Sequence, residues 1–398
     1  MQASGSRVIG LCFLVAIIEG FDLQAAGVAA PLLAPAFGLG PAQMGVFFAM
    51  ATLGLIVGAL LGGRIADRWG RKAGLVLALA TFGVFSIATA FTWDLTSLCV
   101  ARCLTGIGLG AALPNIIAIA AESVPAKRTS TAVAVMYAGF PIGGALAALT
   151  SVLNLHGGWT TVFLVGGVAP VVVAPLLIWL LPTMTSDKSL EPGAPSEPLK
   201  ALFGPSQALP TLALWLAFFF SLLVLYLLLN WLPALLIERG ADRTAAGGVQ
   251  IAFNLAGAVT SLFIGRAMDR FSRKLVVTVT FGALIVALLS LSLVSSLTMV
   301  LISAVLIGGA VLGVQAILYG LAPAQYPSAV RGTGVGAAVA VGRLGSIAGP
   351  LLAGMLVAAG ATGGSVFLSI VPIAALGGAA TLWLICSRAL PSPIDKNS

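Results

Sequence analysis

Glu19 and Asp22 stand three residues apart in AIIEGFDLQAAG, inside an apolar run that extends from about Val8 to Leu33. Residues at that spacing share a helix face. Two carboxylates so placed in a low dielectric resist double ionisation and titrate as a coupled unit. Such a pair can take up a proton on one side of a barrier and release it on the other. Asp22 is preferred as the essential member of the pair, and the competing reading is that one or both acids pair with an arginine. Two arginines are available inside apolar runs, Arg102 in ARCLTGIGLGAALPN and Arg343 in VGRLGSIAGPLLAG. A guanidinium stays charged at any relevant pH and grips a carboxylate through a two-pronged fork. Arg102 and Arg343 are therefore candidates for binding a substrate carboxylate between them, with an Arg102 salt bridge to Asp22 or Glu19 as the alternative. The two arrangements can alternate during a cycle.

Other polar side chains fall in or near the apolar runs: Gln24, Asn115, Tyr137, Asn230, Gln250, Asn254, Gln315 and Tyr319. Gln24, Asn115 and Tyr319 are the preferred candidates for a ligand's polar groups, although ordinary bonding between helices explains any one of them as well. Asp67/Arg68 and Asp269/Arg270 lie in basic turns, where an acid near a neighbouring helix N-terminus is favoured by the dipole. They are expected to act as gates that hold the cytoplasmic side shut in the outward-facing state, with topology-setting charge as the alternative, which explains the basic residues but not Asp67. The single histidine, His156, precedes GGW in an outer loop, where a histidine with no role is the preferred reading and a pH sensor the alternative. The four cysteines show no metal-ligand spacing and read as reduced, inert thiols.

These residues have to be positioned by membrane-spanning helices. The chain has 398 residues, 59% of them apolar and 8% charged. A soluble domain is about 45–50% apolar and about 25% charged, so the polar surface is too small to cover a water-soluble globule. Windows of about 20 apolar residues predict twelve helices, at roughly 8–32, 43–66, 73–92, 96–121, 130–153, 159–181, 210–234, 244–268, 275–294, 297–321, 332–358 and 364–387. The first run is too long and too acidic for a cleaved signal peptide. A charge at the centre of such a helix costs roughly 2.5–3.5 kcal/mol on insertion scales. Glu19, Asp22, Arg102 and Arg343 are therefore expected to face a wet cleft or one another.

Basic residues set the predicted orientation. Arg7, Arg64, Arg68, Arg71, Lys72, Lys127, Arg128, Lys188, Lys200, Arg266, Arg270, Arg273, Lys274, Arg331, Arg388 and Lys396 all fall on one side, and Arg239 and Arg243 on the other. The excess marks the cytoplasmic side, which places both termini there. The Pro-, Ser- and charge-rich segment 182–209 reads as a cytoplasmic linker between two six-helix bundles, 1–181 and 210–398. The bundles echo one another. GRIADRWGRK (63–72) matches GRAMDRFSRK (265–274), and PAKRTSTAVAV (125–135) matches PSAVRGTGVGAAVAV (327–341) across a short gap. Parallel six-helix repeats imply a site at the midplane between the halves. Gly54, Gly58 and Gly62 line one helix face, as do Gly139 and Gly143, and mark close helix packing.

GGRIADRWGRK is similar to the turn between the second and third spans of the major facilitator superfamily. Within it, EGFDLQAAG, ARCLTGIGLGAALPN and VGRLGSIAGPLLAG resemble the aromatic acid:proton symporters. That family usually carries Asp-Gly-x-Asp in span one, and Glu19 departs from it. Together with NWLP (230–233) and AVAVGRLG (338–345), the span-one pattern most resembles the branch that takes up 3-(3-hydroxyphenyl)propionate. The resemblance implies an all-α major facilitator fold and alternating-access import of an aromatic carboxylate with protons. It supports proton coupling at Glu19 and Asp22 and substrate binding at Arg102 and Arg343, and gating is expected at Gly63, Asp67, Arg68, Gly70, Arg71, Asp269 and Arg270. The chain is expected in a bacterial inner membrane, as a monomer in the lipid bilayer, with no cofactor, metal or nucleic-acid partner. The alternative function is proton-driven efflux of a drug or metabolite. A membrane enzyme would need a nucleophile–base or metal constellation, and GIGLGAALPN lacks the Gly-Lys-Ser/Thr ending of a phosphate-binding loop.

Overall fold

The computed structural model describes residues 5–125, 128–153, 158–181, 203–204, 207–294, 296–326 and 330–387. Lys127, His156, Lys188, Lys200, Arg388, Lys396 and nearly all of the proposed linker lie outside the described residues, as does the side chain of Asp67. Among the described residues twelve helices are long and apolar enough to cross a membrane. Span 1 is Gly5–Phe37, span 2 Pro41–Ala66, span 3 Arg71–Thr89, span 4 Leu95–Glu122, span 5 Thr131–Val152 and span 6 Trp159–Leu180. Span 7 is Ala208–Glu238, span 8 Arg243–Arg270, span 9 Arg273–Leu293, span 10 Leu297–Gln325, span 11 Thr333–Ala358 and span 12 Gly363–Ser387. Spans 1 and 7 run beyond their predicted ends. Span 5 is interrupted at Ala138, just before Pro141, and span 12 at Ile370, just before Pro372. A proline removes a backbone donor and crowds the preceding turn, so breaks there are expected.

Short polar residues start several helices by accepting the backbone N–H groups that a first turn leaves unpaired. Asp94 Oδ1 accepts from Ser97 N at 2.7 Å, and the Ser97 hydroxyl accepts from Asp94 N at 3.1 Å. Asp242 does the same for span 8 at 2.6 Å. The turn between spans 2 and 3 needs Gly70, whose φ of 87° strains any residue with a Cβ. Its N–H closes span 2 by donating to Ala66 O at 2.8 Å.

Spans 1–6 and 7–12 form two bundles that are packed alike. In the first, span 2 lies on span 4, and a Cβ added at Gly54 or Gly58 would stand 2.0 Å from the carbonyl oxygen of Cys103 or Ile107. In the second, the equivalent spans 8 and 10 approach as closely, with Gly308 against Phe253 O. Gly143 of span 5 meets Ile17 O of span 1, and Gly345 of span 11 meets Phe219 O of span 7 in the same relation. Backbones this close gain dispersion contacts that lipid cannot replace. The glycine pattern is therefore helix packing.

The side carrying the basic turns is called here the basic side, and the opposite one the far side. Between bundles, span 2 meets span 11, span 5 meets span 8 and span 1 meets span 7. The tightest approaches lie toward the far side, where Gly45 faces Pro350 and Gly354, Gly27 faces Leu229 and Asn230, and Gly247 faces Ala148 and Val152. Also on the far side, the Arg239 guanidinium donates to the carbonyls of Leu291 and Val294 at the end of span 9. Glu238 accepts from Gly363 N, the first turn of span 12, at 2.8 Å.

Candidate functional site

The two acids of span 1 occupy different surroundings. Asp22 is fully buried and faces its own bundle. Arg102 Nη1 of span 4 donates to its Oδ2 at 3.0 Å, Arg102 Nη2 donates to its backbone carbonyl at 3.2 Å, and Ser86 Oγ of span 3 donates to its Oδ1 at 2.6 Å. The Arg102 guanidinium is 1% exposed and sits 5.4 Å from the ring centroid of Phe163 in span 6. Spans 1, 3, 4 and 6 are thus tied together around one buried ion pair. The salt-bridge alternative for Arg102 is the arrangement in this conformation.

Glu19 is 2% exposed, and its Oε1 has no hydrogen-bond partner. The opposite charge that acts on it is Arg343, from span 11 of the other bundle. Arg343 Nη1 donates to Tyr226 Oη of span 7 at 2.6 Å, with the guanidinium 5.9 Å from that ring's centroid. Tyr137 of span 5 and Tyr319 of span 10 complete the group. Their rings lie 6.3 Å apart across the bundle boundary, and both hydroxyls feel the charge of Arg343. Phe218 packs edge-on against Tyr319 at 5.3 Å. Glu19 and Tyr226 are buried, whereas Tyr137, Tyr319 and Arg343 are half-buried at positions well inside their spans. The result is one fixed cation and one carboxylate from opposite bundles, among three phenols.

Toward the far side this cleft is closed by amides. Gln24 Nε2 donates to Asn254 Oδ1 at 2.7 Å, and Gln24 Oε1 accepts from Gln250 Nε2 at 2.7 Å and from Asn254 Nδ2 at 2.9 Å. All three side chains are buried, and they join span 1 to span 8. Gln24 therefore bonds across the bundles.

The remaining candidates are dispersed. Asn115 donates to Ala111 O in its own helix at 2.9 Å and faces Gly74 of span 3, away from Arg343 and its tyrosines. Arg71 forms an ion pair with Glu122 at 2.8 Å, which ties span 3 to the end of span 4 within one bundle. Arg68, Asp269 and Arg270 are exposed, and Gly63 has open space where a Cβ would stand. Sequence reasoning missed Tyr226 and Ser86. Tyr226 carries a signal in retrospect, because it lies one turn from Asn230 in an otherwise apolar run. Ser86 carries none, because serine is common in such helices.

The arrangement of two six-helix bundles with charges at their junction has counterparts. A model described as Major Facilitator Superfamily matches residues 12–249 and 214–397, nearly the whole chain. The chain belongs to the Major Facilitator Superfamily. Within it, the chain is 46% identical over 395 residues to the 3-(3-hydroxy-phenyl)propionate transporter of Escherichia coli (strain K12), covering 98% of both chains. It is 36% identical to the gallate transporter of Pseudomonas putida, over 89% of this chain and 86% of that one. Its fold matches a solved structure of a D-xylose-proton symporter with a TM-score of 0.79 at 18% identity, covering 98% and 99% of the two chains. The all-α, twelve-span major facilitator fold expected from the sequence is the fold of this chain. It is a multi-pass membrane protein of a transporter family and not an enzyme.

Proposed function

We propose that this chain imports an aromatic carboxylate together with protons, with 3-(3-hydroxyphenyl)propionate or a similar hydroxylated phenyl acid as the substrate. The observation that carries the proposal is Arg343, a fixed cation well inside span 11, half-open to a cleft of phenols contributed by both bundles. A guanidinium has five donors, and Tyr226 takes one, so others remain for a carboxylate. The aromatic walls suit a ring. The relatives named for hydroxylated aromatic acids support the same class.

Coupling follows from charge balance. Glu19 is buried without a partner at Oε1, and the cation acting on it from the opposite bundle is Arg343. A substrate carboxylate that docks on Arg343 claims that charge, and an ionised Glu19 left buried beside a second anion is costly. Proton uptake by Glu19 removes the cost, so the substrate anion and a proton enter together. Asp22 is the second acid of the scheme. A proton there would free Arg102 from its partner and loosen the tie among spans 1, 3, 4 and 6.

Residues 1–181 and 210–398 act in this reading as two moving bodies joined by 182–209, in a monomer. The excess of Lys and Arg makes the basic side the cytoplasm of a bacterial inner membrane. Closure at the far side then makes this conformation inward-facing. Proteoliposomes with an imposed inward proton gradient test the whole reading. Labelled 3-(3-hydroxyphenyl)propionate should accumulate, and the accumulation should collapse when an ionophore dissipates the gradient. Uptake that ignores the gradient, or gradient-driven extrusion of the acid, would sink the symport reading and favour efflux.

A further inference from the structure

Gln315 lies in span 10, one helical turn from Tyr319. Residues four apart stack on one face of a helix, and on that face Tyr319 reaches Tyr137 of the opposite bundle and feels Arg343. Gln315 is 7% exposed, and neither its Nε2 nor its Oε1 has a hydrogen-bond partner. Gln24 and Asn254 bond each other, and Gln250 Nε2 donates to Gln24. A buried amide with both ends empty is expensive, because each unmade bond forfeits its desolvation cost. Such a group is stable in a working protein when something that enters during the cycle satisfies it.

An amide presents one donor end and one acceptor end. A ring hydroxyl matches it, since the oxygen accepts from Nε2 and the O–H donates to Oε1. A carboxylate matches only the donor end and is better served by Arg343. A bare phenyl ring matches neither end.

We infer that Gln315 is a specificity-determining residue, which selects aromatic acids carrying a ring hydroxyl by pairing with that hydroxyl while Arg343 holds the carboxylate. The inference rests on the proposed import of aromatic carboxylates and adds the feature of the substrate that is read. Filling the empty amide offsets its burial only for a hydroxylated ring. The same acid without the hydroxyl leaves the amide as it was and gains nothing from it.

The test compares uptake of labelled 3-(3-hydroxyphenyl)propionate and labelled 3-phenylpropionate by the full chain in proteoliposomes under the same proton gradient. Wild type is set beside Gln315→Met, which keeps length and removes both polar ends, and Gln315→Asn, which keeps both ends but withdraws them. In wild type the hydroxylated acid should be favoured roughly tenfold. In both variants its uptake should fall until the ratio approaches one, while 3-phenylpropionate uptake holds or rises. Equal loss of both acids in both variants would assign Gln315 to helix packing and overturn the inference. An unchanged ratio would overturn it too. Wild-type uptake of neither acid would instead overturn the import reading, and the specificity reading with it.

Discussion

Asp22 and Glu19 sit three residues apart, yet their partners give them opposite sensitivities to substitution. Removing one member of a buried ion pair leaves an uncompensated charge and costs about 3–5 kcal/mol. Arg102→Met should therefore destabilise the fold by that order, because Asp22 would be left without its guanidinium. Thermal unfolding in detergent reads the loss, and the double variant Asp22→Leu/Arg102→Met should recover much of it. Glu19 accepts no bond at Oε1, so Glu19→Gln should fold normally. It should still bind substrate and exchange it across the membrane, but lose gradient-driven accumulation. Gradient-driven accumulation that survives in Glu19→Gln and vanishes in Asp22→Asn would move the proton site to Asp22. Arg343→Lys keeps the charge and loses the fork. It should weaken substrate affinity by roughly tenfold to a hundredfold, the worth of a hydrogen bond to a charged group, as read by saturation binding.

At the scale of elements, the glycine contacts leave little room. A Cβ at Gly143 would stand 1.9 Å from Ile17 O, against a backbone that cannot step aside. Gly143→Val should cost more than the about 1–3 kcal/mol typical of overpacking, and show as loss of folded protein in size-exclusion profiles. Much of this level was legible in the sequence. The twelve spans follow from runs of apolar residues, and the repeated GRxxDRxxRK turn located the two bundles. The break in span 5 at Ala138 was not seen, because the window that finds a span averages over Pro141. The site was read in part. Burial cost, with the family resemblance, drew attention to Glu19, Asp22, Arg102 and Arg343. Which acid meets which arginine depends on how spans 1, 4 and 11 rotate about their axes, and composition does not record rotation. Asn115 shows the limit, since its type suited a ligand while its face turned to Gly74.

For the whole molecule, closure of the far side is the state to be tested. Gly45 and Gly354 approach so closely that a Cβ at Gly354 would lie 3.1 Å from the Gly45 Cα. A Cβ at Gly45 would in turn stand 2.9 Å from Pro350 O, so Gly45→Leu should wedge this contact open and slow gradient-driven uptake. Undiminished uptake in Gly45→Leu would mean that the two bundles do not close there. The far side also carries few charges. Asp94, Glu238 and Asp242 stand against Arg239 and Arg243, so the two signs nearly cancel. Such a surface projects almost no field into solution, so an approaching anion is neither drawn in nor turned away. Capture should then proceed by unguided collision, and its rate constant should barely change as ionic strength rises from about 0.01 M to about 1 M, a range over which the Debye length falls from about 30 Å to about 3 Å.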